Sequence, residues 1–491
     1  MGNMNEEELR QRRRKRQELQ RKKRLKQVMM IRTGLGIILA LLLILVITLV
    51  VRGIKSGKSS GNDAEAQQTA SQNEEGSNSG EGSSQSANQD ILDQAAVLAA
   101  GYDYDGAISL IQSTAGYESD IAMTDAISEY ETTKASCVPV DVTTVPHIFY
   151  HSLITNNDKV FDGDYKQEDY NCWYTTVSEF DKITQQMYDN GYVIVRLRDL
   201  VKETKNEDGS STFEVNDQLM LPPNKKAVVL SVDDLSYYHF GEADGFPDKI
   251  VVDENGLPKC QMTQDDGTVE IGDFDVVPRL NTFLTEHPDG CYKGARGLIA
   301  LTGYNGILGY RTDIAYKTKE KLDLDQQEWL DAHPDFNWDT DVAEATKAAE
   351  AIKNSGWEFA SHTWGHARAG SRSLESLMED NDKWMTYVSP LIGPTDTIIF
   401  AHGEDIAGSE DYSMDNGKYA YFHGQGFNFY CNVDSTQYWN QYRSDYVRQG
   451  RRDLDGYQLY KSMTVDGNLE DLFHVEDVFD PVRPTPVTLS E

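Results

Sequence analysis

From about residue 138 onward, short apolar runs alternate with amphipathic stretches. Val145–Tyr150 (VPHIFY), Tyr192–Arg196 (YVIVR), Ala227–Ser231 (AVVLS), Gly297–Thr302 (GLIALT), Glu358–Ser361, Thr397–Ala401 (TIIFA) and Phe427–Asn432 have the length and β-rich content of buried strands. Between them lie helical patterns. Thr176-Val177-Ser178-Glu179 is a capping box, followed by Val177, Phe180, Ile183 and Met187 on one face and a stop at Gly191. Val276–His287, Asp341–Ser355 and Ser373–Val388 are further helical stretches. The alternation predicts an α/β domain over 138–491 with a parallel barrel or open sheet. Residues 236–295, rich in Asp, Gly and Pro, read as an insertion over one face.

The pattern changes twice before that domain. Gly34–Val51 (GLGIILALLLILVITLVV) carries no charge and is apolar on every face, so it predicts a transmembrane helix. At about 1.5 Å per residue it is roughly 27 Å long, close to the hydrocarbon core. A cleaved signal peptide is the rival, but its apolar region is usually shorter and RGIKSGKSS lacks a small-x-small site. Residues 52–89, mostly Ser, Gly, Asn, Gln and Glu, predict a flexible linker. Residues 90–135 predict a helical hairpin broken at Gly101. Its phrase AAVLAAGYDYDGAISLI is similar to one tetratricopeptide-type unit, with no further copies. Packing on the next domain is favoured, and a protein contact through 90–131 is the alternative.

Charge sharpens this picture. The 491 residues hold 46 Lys+Arg and 80 Asp+Glu, a net charge of −34. Residues 1–55 alone balance to +10 and the remainder to −44. The basic segment 1–33 keeps the N-terminus in the cytoplasm, which predicts a single-pass cell-membrane protein with its large domain outside. The acidic body disfavours nucleic acid as a partner. Five cysteines, without CxxC spacing, allow at most two disulfides and make a structural zinc cluster a poor reading.

Candidate chemistry sits where two strand runs end. AVVLSVDD places Asp233 and Asp234 side by side after a strand, where one carboxylate can bind a cation while the other stays free as a base. WEFASHTWGH ends another strand in His362 and His366, whose i, i+4 spacing puts both imidazoles on one face if the turn is helical. An Asp with two His leaves open positions for water and substrate.

SVDD (231–234) and SHTWGH (361–366) together resemble the motifs of polysaccharide deacetylases with the NodB-homology domain, carbohydrate esterase family 4. LFH (472–474) is similar to the late Leu-x-His motif, and VPHIFYHSL (145–153) resembles the start of many exported members. The resemblance covers roughly 140–485 and implies a distorted (β/α) barrel with its site at the strand C-termini. It implies that Asp234, His362 and His366 bind a divalent metal, usually Zn2+, and that Asp233 is the general base. It implies that His474 protonates the leaving amine and that Leu472 lines the acetyl pocket. Asp434 and Trp439 would fill the Asp/Trp motif, with Asp434 orienting His474. The implied reaction hydrolyses N-acetyl groups of an extracellular polysaccharide, peptidoglycan or a surface glycan.

One motif departs from that pattern. FAHG (400–403) stands where the family often has R-P-P-Y-G, so Gly403 fits but the arginine that tethers the base is missing. That keeps two alternatives open: an O-acetyl esterase on the same site, and a catalytically silent glycan-binding protein. Arg448-Gln449-Gly450-Arg451-Arg452 reads as a surface salt-bridge cluster or, less readily, as a grip for a wall polymer. Tyr304 and Asn305, after the strand GLIALT, offer a sugar contact or a plain loop.

Overall fold

Six of the seven apolar runs become strands of one closed parallel barrel, and the seventh pairs alongside it. The structure, a computed structural model, describes residues 81–487. The apolar run 34–51, the basic segment 1–33 and most of the linker therefore lie outside the described residues. No helix among the described residues is long and apolar enough to cross a membrane. The barrel strands are β1 (His147–Tyr150), β2 (Lys226–Asp233), β3 (Leu298–Leu301), β4 (Glu358–Ser361), β5 (Thr397–Ile399), β6 (Phe429–Val433) and β7 (Val447–Asp453). Each is parallel to its neighbour in chain order, and β7 returns to β1 with Arg451 opposite His147. Tyr192–Ile194 pairs with the first half of β2, on the edge whose second half pairs with β3.

Alternation along each strand sorts the cores. Ala227 and Val229 of β2 point inward with Ala300, Ala360, Ile399, Cys431 and Val447. Val228, Leu230 and Val232 point outward onto the helical layer. That layer includes Phe180, Ile183 and Met187, from the helix opened by the Thr176 capping box, and Ala345, Ala348 and Ile352 of Trp338–Asn354. Full burial of such aliphatic and aromatic side chains stabilises by about 1.5–3 kcal/mol each.

The N-terminal end of the barrel is covered by three helices rather than a hairpin: α1 (Glu81–Ala100), α2 (Tyr104–Gln112) and α3 (Ile121–Ser136). Helix α1 thus begins inside the segment predicted as linker. Ala95, Ala99, Ala107, Ile111 and Met123 share one core with Val193, Val195 and Val229. Their apolar faces pack on the barrel. The insertion is also more ordered than composition implied. Lys249–Val252, Pro258–Thr263 and Val269–Gly272 form an antiparallel sheet, and Val276–Glu286 rejoins the helical layer. All five cysteines are buried and none forms a disulfide.

The main correction concerns residues 447–453. They are not a surface cluster but barrel strand β7, buried along all but its last residue. Gln449 and Arg451 face the interior with Val447, whereas Arg448 and Arg452 face outward and are also buried. Each arginine has a carboxylate: Arg448 meets Asp405 at 3.1 Å, Arg451 meets Asp233 at 2.8 Å and Arg452 meets Asp471 at 2.7 Å.

Candidate metal centre

Strand C-termini of β2 and β4 bring Asp233, Asp234, His362 and His366 together. Asp234 follows β2 in a left-handed conformation (φ 56°), its N–H donating to Ala300 across to β3. His362 follows β4, with its N–H on Leu301. The turn from His362 to His366 is not a helix. Thr363 (φ 62°) and His366 (φ 50°) are both left-handed, and Asp380 accepts from the N–H groups of Trp364 and Gly365. The Thr363 hydroxyl accepts from Ala367 N–H, closing the turn. Left-handed non-glycine residues store strain that surrounding bonds must hold, and functional sites are where they gather.

One donor atom from each of Asp234, His362 and His366 lies within 4.8 Å of the others. His366 Nε2 is 3.3 Å from Asp234 Oδ2, and His362 Nε2 is 3.9 Å from the same oxygen. His362 Nδ1 lies 2.8 Å from the Ile399 carbonyl. A carbonyl only accepts, so Nδ1 carries the hydrogen and Nε2 offers its lone pair to the cluster. Tyr238 Oη donates to Asp234 Oδ1 at 2.6 Å, fixing that carboxylate from outside. A half-buried His2Asp set with its outer partners in place fits a divalent cation.

The electrostatics agree. Burial alone would raise Asp234, but His366 and His362 outweigh it and hold the carboxyl far below its usual range. Burial lowers His362 despite both aspartates. On His366 burial is outweighed by Asp234, so its pKa is raised.

Asp233 has a different setting. Arg451 grips it with both terminal nitrogens, at 2.8 and 2.9 Å, and also reaches the Ser231 hydroxyl at 3.1 Å. Burial pushes Asp233 up, but Arg451 and then His362 bring it below the ordinary carboxylate range. The arginine missing from FAHG is therefore supplied by β7. Its sequence signal, a polar run without strand-like apolar residues, concealed the role.

FAHG itself borders the cluster. His402 (φ 57°) places its ring 4.2 Å from that of His366, and burial followed by the His366 charge lowers it to about 4. Gly403 has φ 64°, and a Cβ there would lie 2.5 Å from that of Val433, so glycine is required.

Four predicted residues are not brought to the site. His474 is exposed, 3.5 Å from Asp477, and its N–H donates to Gln186 near the end of the helix Val177–Asp189. Leu472 is buried in the outer core, its carbonyl accepting from Asn190. Asn190 precedes Tyr192, which pairs with Lys226 at the start of β2. Seven residues of strand, about 23 Å, separate that level from Asp233. LFH thus lies at the N-terminal end of the strands. Asp434 closes its own turn by accepting from the N–H and hydroxyl of Thr436, with no bond to His474. Trp439 packs with Asp434 over Gly450, beneath Arg448.

His151, just beyond β1, occupies the site instead. It lines a cavity with Asp234, Tyr174 and Tyr238, and its charge acts on Asp233, Asp234 and Asp455. Its Nδ1 is buried without a hydrogen-bond partner. Asp453, the last residue of β7, is raised by burial and by Asp455; Asp455, two residues on, is raised by burial to about 6, against hydrogen bonds from Gln458 and Asp453 that lower it. They form a carboxyl pair that retains a proton more readily than a solvent-exposed aspartate.

No protein-family model matches the chain, and no curated protein matches it. Among solved structures it is similar to a Streptococcus pyogenes deacetylase, PplD, in complex with acetate, at 12% identity and a TM-score of 0.33, over 67% of this chain and 98% of that one. A likeness of that size carries no argument about activity, which rests on the residues above.

Proposed function

We propose that the chain is a divalent-metal-dependent deacetylase that hydrolyses N-acetyl groups of a polysaccharide. The supporting observation is the His2Asp cluster beside a buried carboxylate pinned by arginine, on motifs that resemble those of polysaccharide deacetylases. Asp234, His362 and His366 hold the cation, with Zn2+ the leading choice for this donor set. When bound, the cation supplies an acidified water and polarises the acetyl carbonyl. Asp233 receives the proton of the attacking water, while Arg451 keeps the carboxylate aimed and ionised. His151 donates a proton to the leaving nitrogen, the role that the sequence motif had assigned to His474. The C–N bond breaks, and acetate and the free amine leave.

Residues 34–51 anchor this domain in the cell membrane, with 1–33 in the cytoplasm and the barrel outside. The basis is the apolar run and its basic flank. An uncharged acetylated glycan suits the acidic body.

The test is acetate release from N-acetylated and O-acetylated glycans by residues 81–491, with metal content measured before and after chelation. Release from the N-acetylated glycan, lost on chelation and restored by Zn2+, is the expected result. Release from O-acetylated glycans alone moves the reading to an esterase, and chelation-resistant release overturns the metal role. His474→Ala is expected to change kcat by less than about twofold, since an exposed surface change carries little. His151→Ala is expected to lower kcat by roughly 10²–10⁴, the usual worth of a general acid.

A further inference from the structure

Aromatic rings gather at the mouth of the metal centre beyond what the chemistry needs. Tyr238, which holds Asp234, is stacked between Tyr304 (4.9 Å, 15°) and Phe240 (5.6 Å, 28°). Phe240 in turn stacks on Tyr170 (6.4 Å, 30°). A second stack pairs Trp173 with Tyr457 (6.1 Å, 19°). Tyr170 and Trp173 lie three apart on the helix Gln167–Trp173, so one short element supplies a ring to each stack from neighbouring positions. Tyr457 follows the C-terminal end of β7, on the barrel face that holds the cluster.

Two of these rings are left facing water. Phe240 is 44% exposed and Trp173 is 42% exposed. The cations nearby are already paired, Lys166 with Asp244 and Arg311 with Glu242. Asp248 lines the same cavity as Phe240. Flat apolar rings among carboxylates repel an anionic occupant and suit a neutral one that presents C–H faces and keeps its hydroxyls in water.

We infer that Phe240 and Trp173 are stacking platforms for neutral pyranose rings that neighbour the acetylated sugar, so that several linked sugars are held rather than one. The inference rests on the deacetylase reading for the position of the acetyl group, and it assigns the neighbouring sugars. The stack behind Phe240 makes that platform rigid, because Tyr238 is fixed at its hydroxyl by Asp234 and Thr302.

The experiment compares the parent with Phe240→Ala and Trp173→Ala on neutral N-acetylglucosamine oligomers of one to five units and on 4-nitrophenyl acetate. Both residues are exposed, so the variants keep the fold. In the parent, KM is expected to fall as the oligomer lengthens. Each variant is expected to raise the pentamer KM by roughly three- to tenfold, as stacking of about 0.5–1.5 kcal/mol per ring gives. Pentamer kcat and hydrolysis of 4-nitrophenyl acetate are expected to stay the same. A pentamer KM unchanged in both variants overturns the inference, as does an equal loss on 4-nitrophenyl acetate. If the parent releases no acetate at all, the deacetylase reading fails, and pentamer binding by calorimetry decides on the platforms. Binding weakened in both variants supports them; no binding by the parent overturns them.

Discussion

Replacing His366 or His362 with alanine is expected to abolish metal retention and to lower acetate release by about a thousandfold or more. The donor atoms of Asp234, His362 and His366 are the described set within mutual reach, so two donors remain where three converge. A Lewis-acid contribution of several kcal/mol is lost with the cation, and each 1.36 kcal/mol is tenfold in rate. The two variants should differ in the metal-free fold. His362 is buried and partners Asp233 as well as Asp234, whereas His366 is partly exposed and pairs with Asp234. His362→Ala therefore removes a fully buried ring and leaves a cavity beside Asp233, and should show the larger fall in Tm. Elemental analysis of both variants, with circular dichroism as a folding control, checks this. Full metal content in either variant removes that histidine from the ligand set.

Arg451→Met is expected to destabilise the domain by about 3–5 kcal/mol, because it leaves the buried Asp233 without its counter-ion. The pH dependence has a definite sign. With Arg451 present, Asp233 lies below its unfolded pKa, so the pair stabilises above the ordinary carboxylate range and that stability is lost as pH falls through the depressed value. With methionine the largest opposing charge is gone and burial pushes Asp233 upward against His362 and His151 only, so the variant loses stability as pH rises. The Tm gap between the two proteins should be widest near neutrality and narrow in acid. Asp233→Asn in the Arg451→Met background should recover part of the loss, since the uncompensated charge is gone. Thermal melts across pH measure all of this. A gap independent of pH assigns Arg451 to packing alone.

The barrel was legible because its strands are buried on both faces and so read as continuous apolar runs, and AVVLSVDD and WEFASHTWGH show where two of them end. β7 was not legible for the converse reason. VRQGRRD lines the interior with Gln449 and Arg451, a polar layer that no hydrophobic pattern announces, and its outer arginines are neutralised by Asp405 and Asp471, which are distant in sequence. The cluster of Asp234, His362 and His366 was legible because its members are local in sequence, two on one turn and one at the end of a strand. The arginine that pairs with Asp233 was missed because it is 218 residues away. LFH misled through composition alone: three residues match a motif, while their hydrogen bonds tie them to the opposite end of the strands. His151 stood in a quoted motif without a role, and only the closure of β1 against β2 and β7 places it beside Asp233.

The return of β7 to β1 also sets a timetable. Until the last strand docks, Asp233 has no counter-ion and the barrel is open between its first and last strands, so the metal cluster has a missing wall. A chain interrupted between residues 366 and 451 carries Asp234, His362 and His366 and yet lacks the arginine that pairs with Asp233. Closure of the barrel and pairing of Asp233 are therefore one and the same contact, made at the seam between the first and last strands.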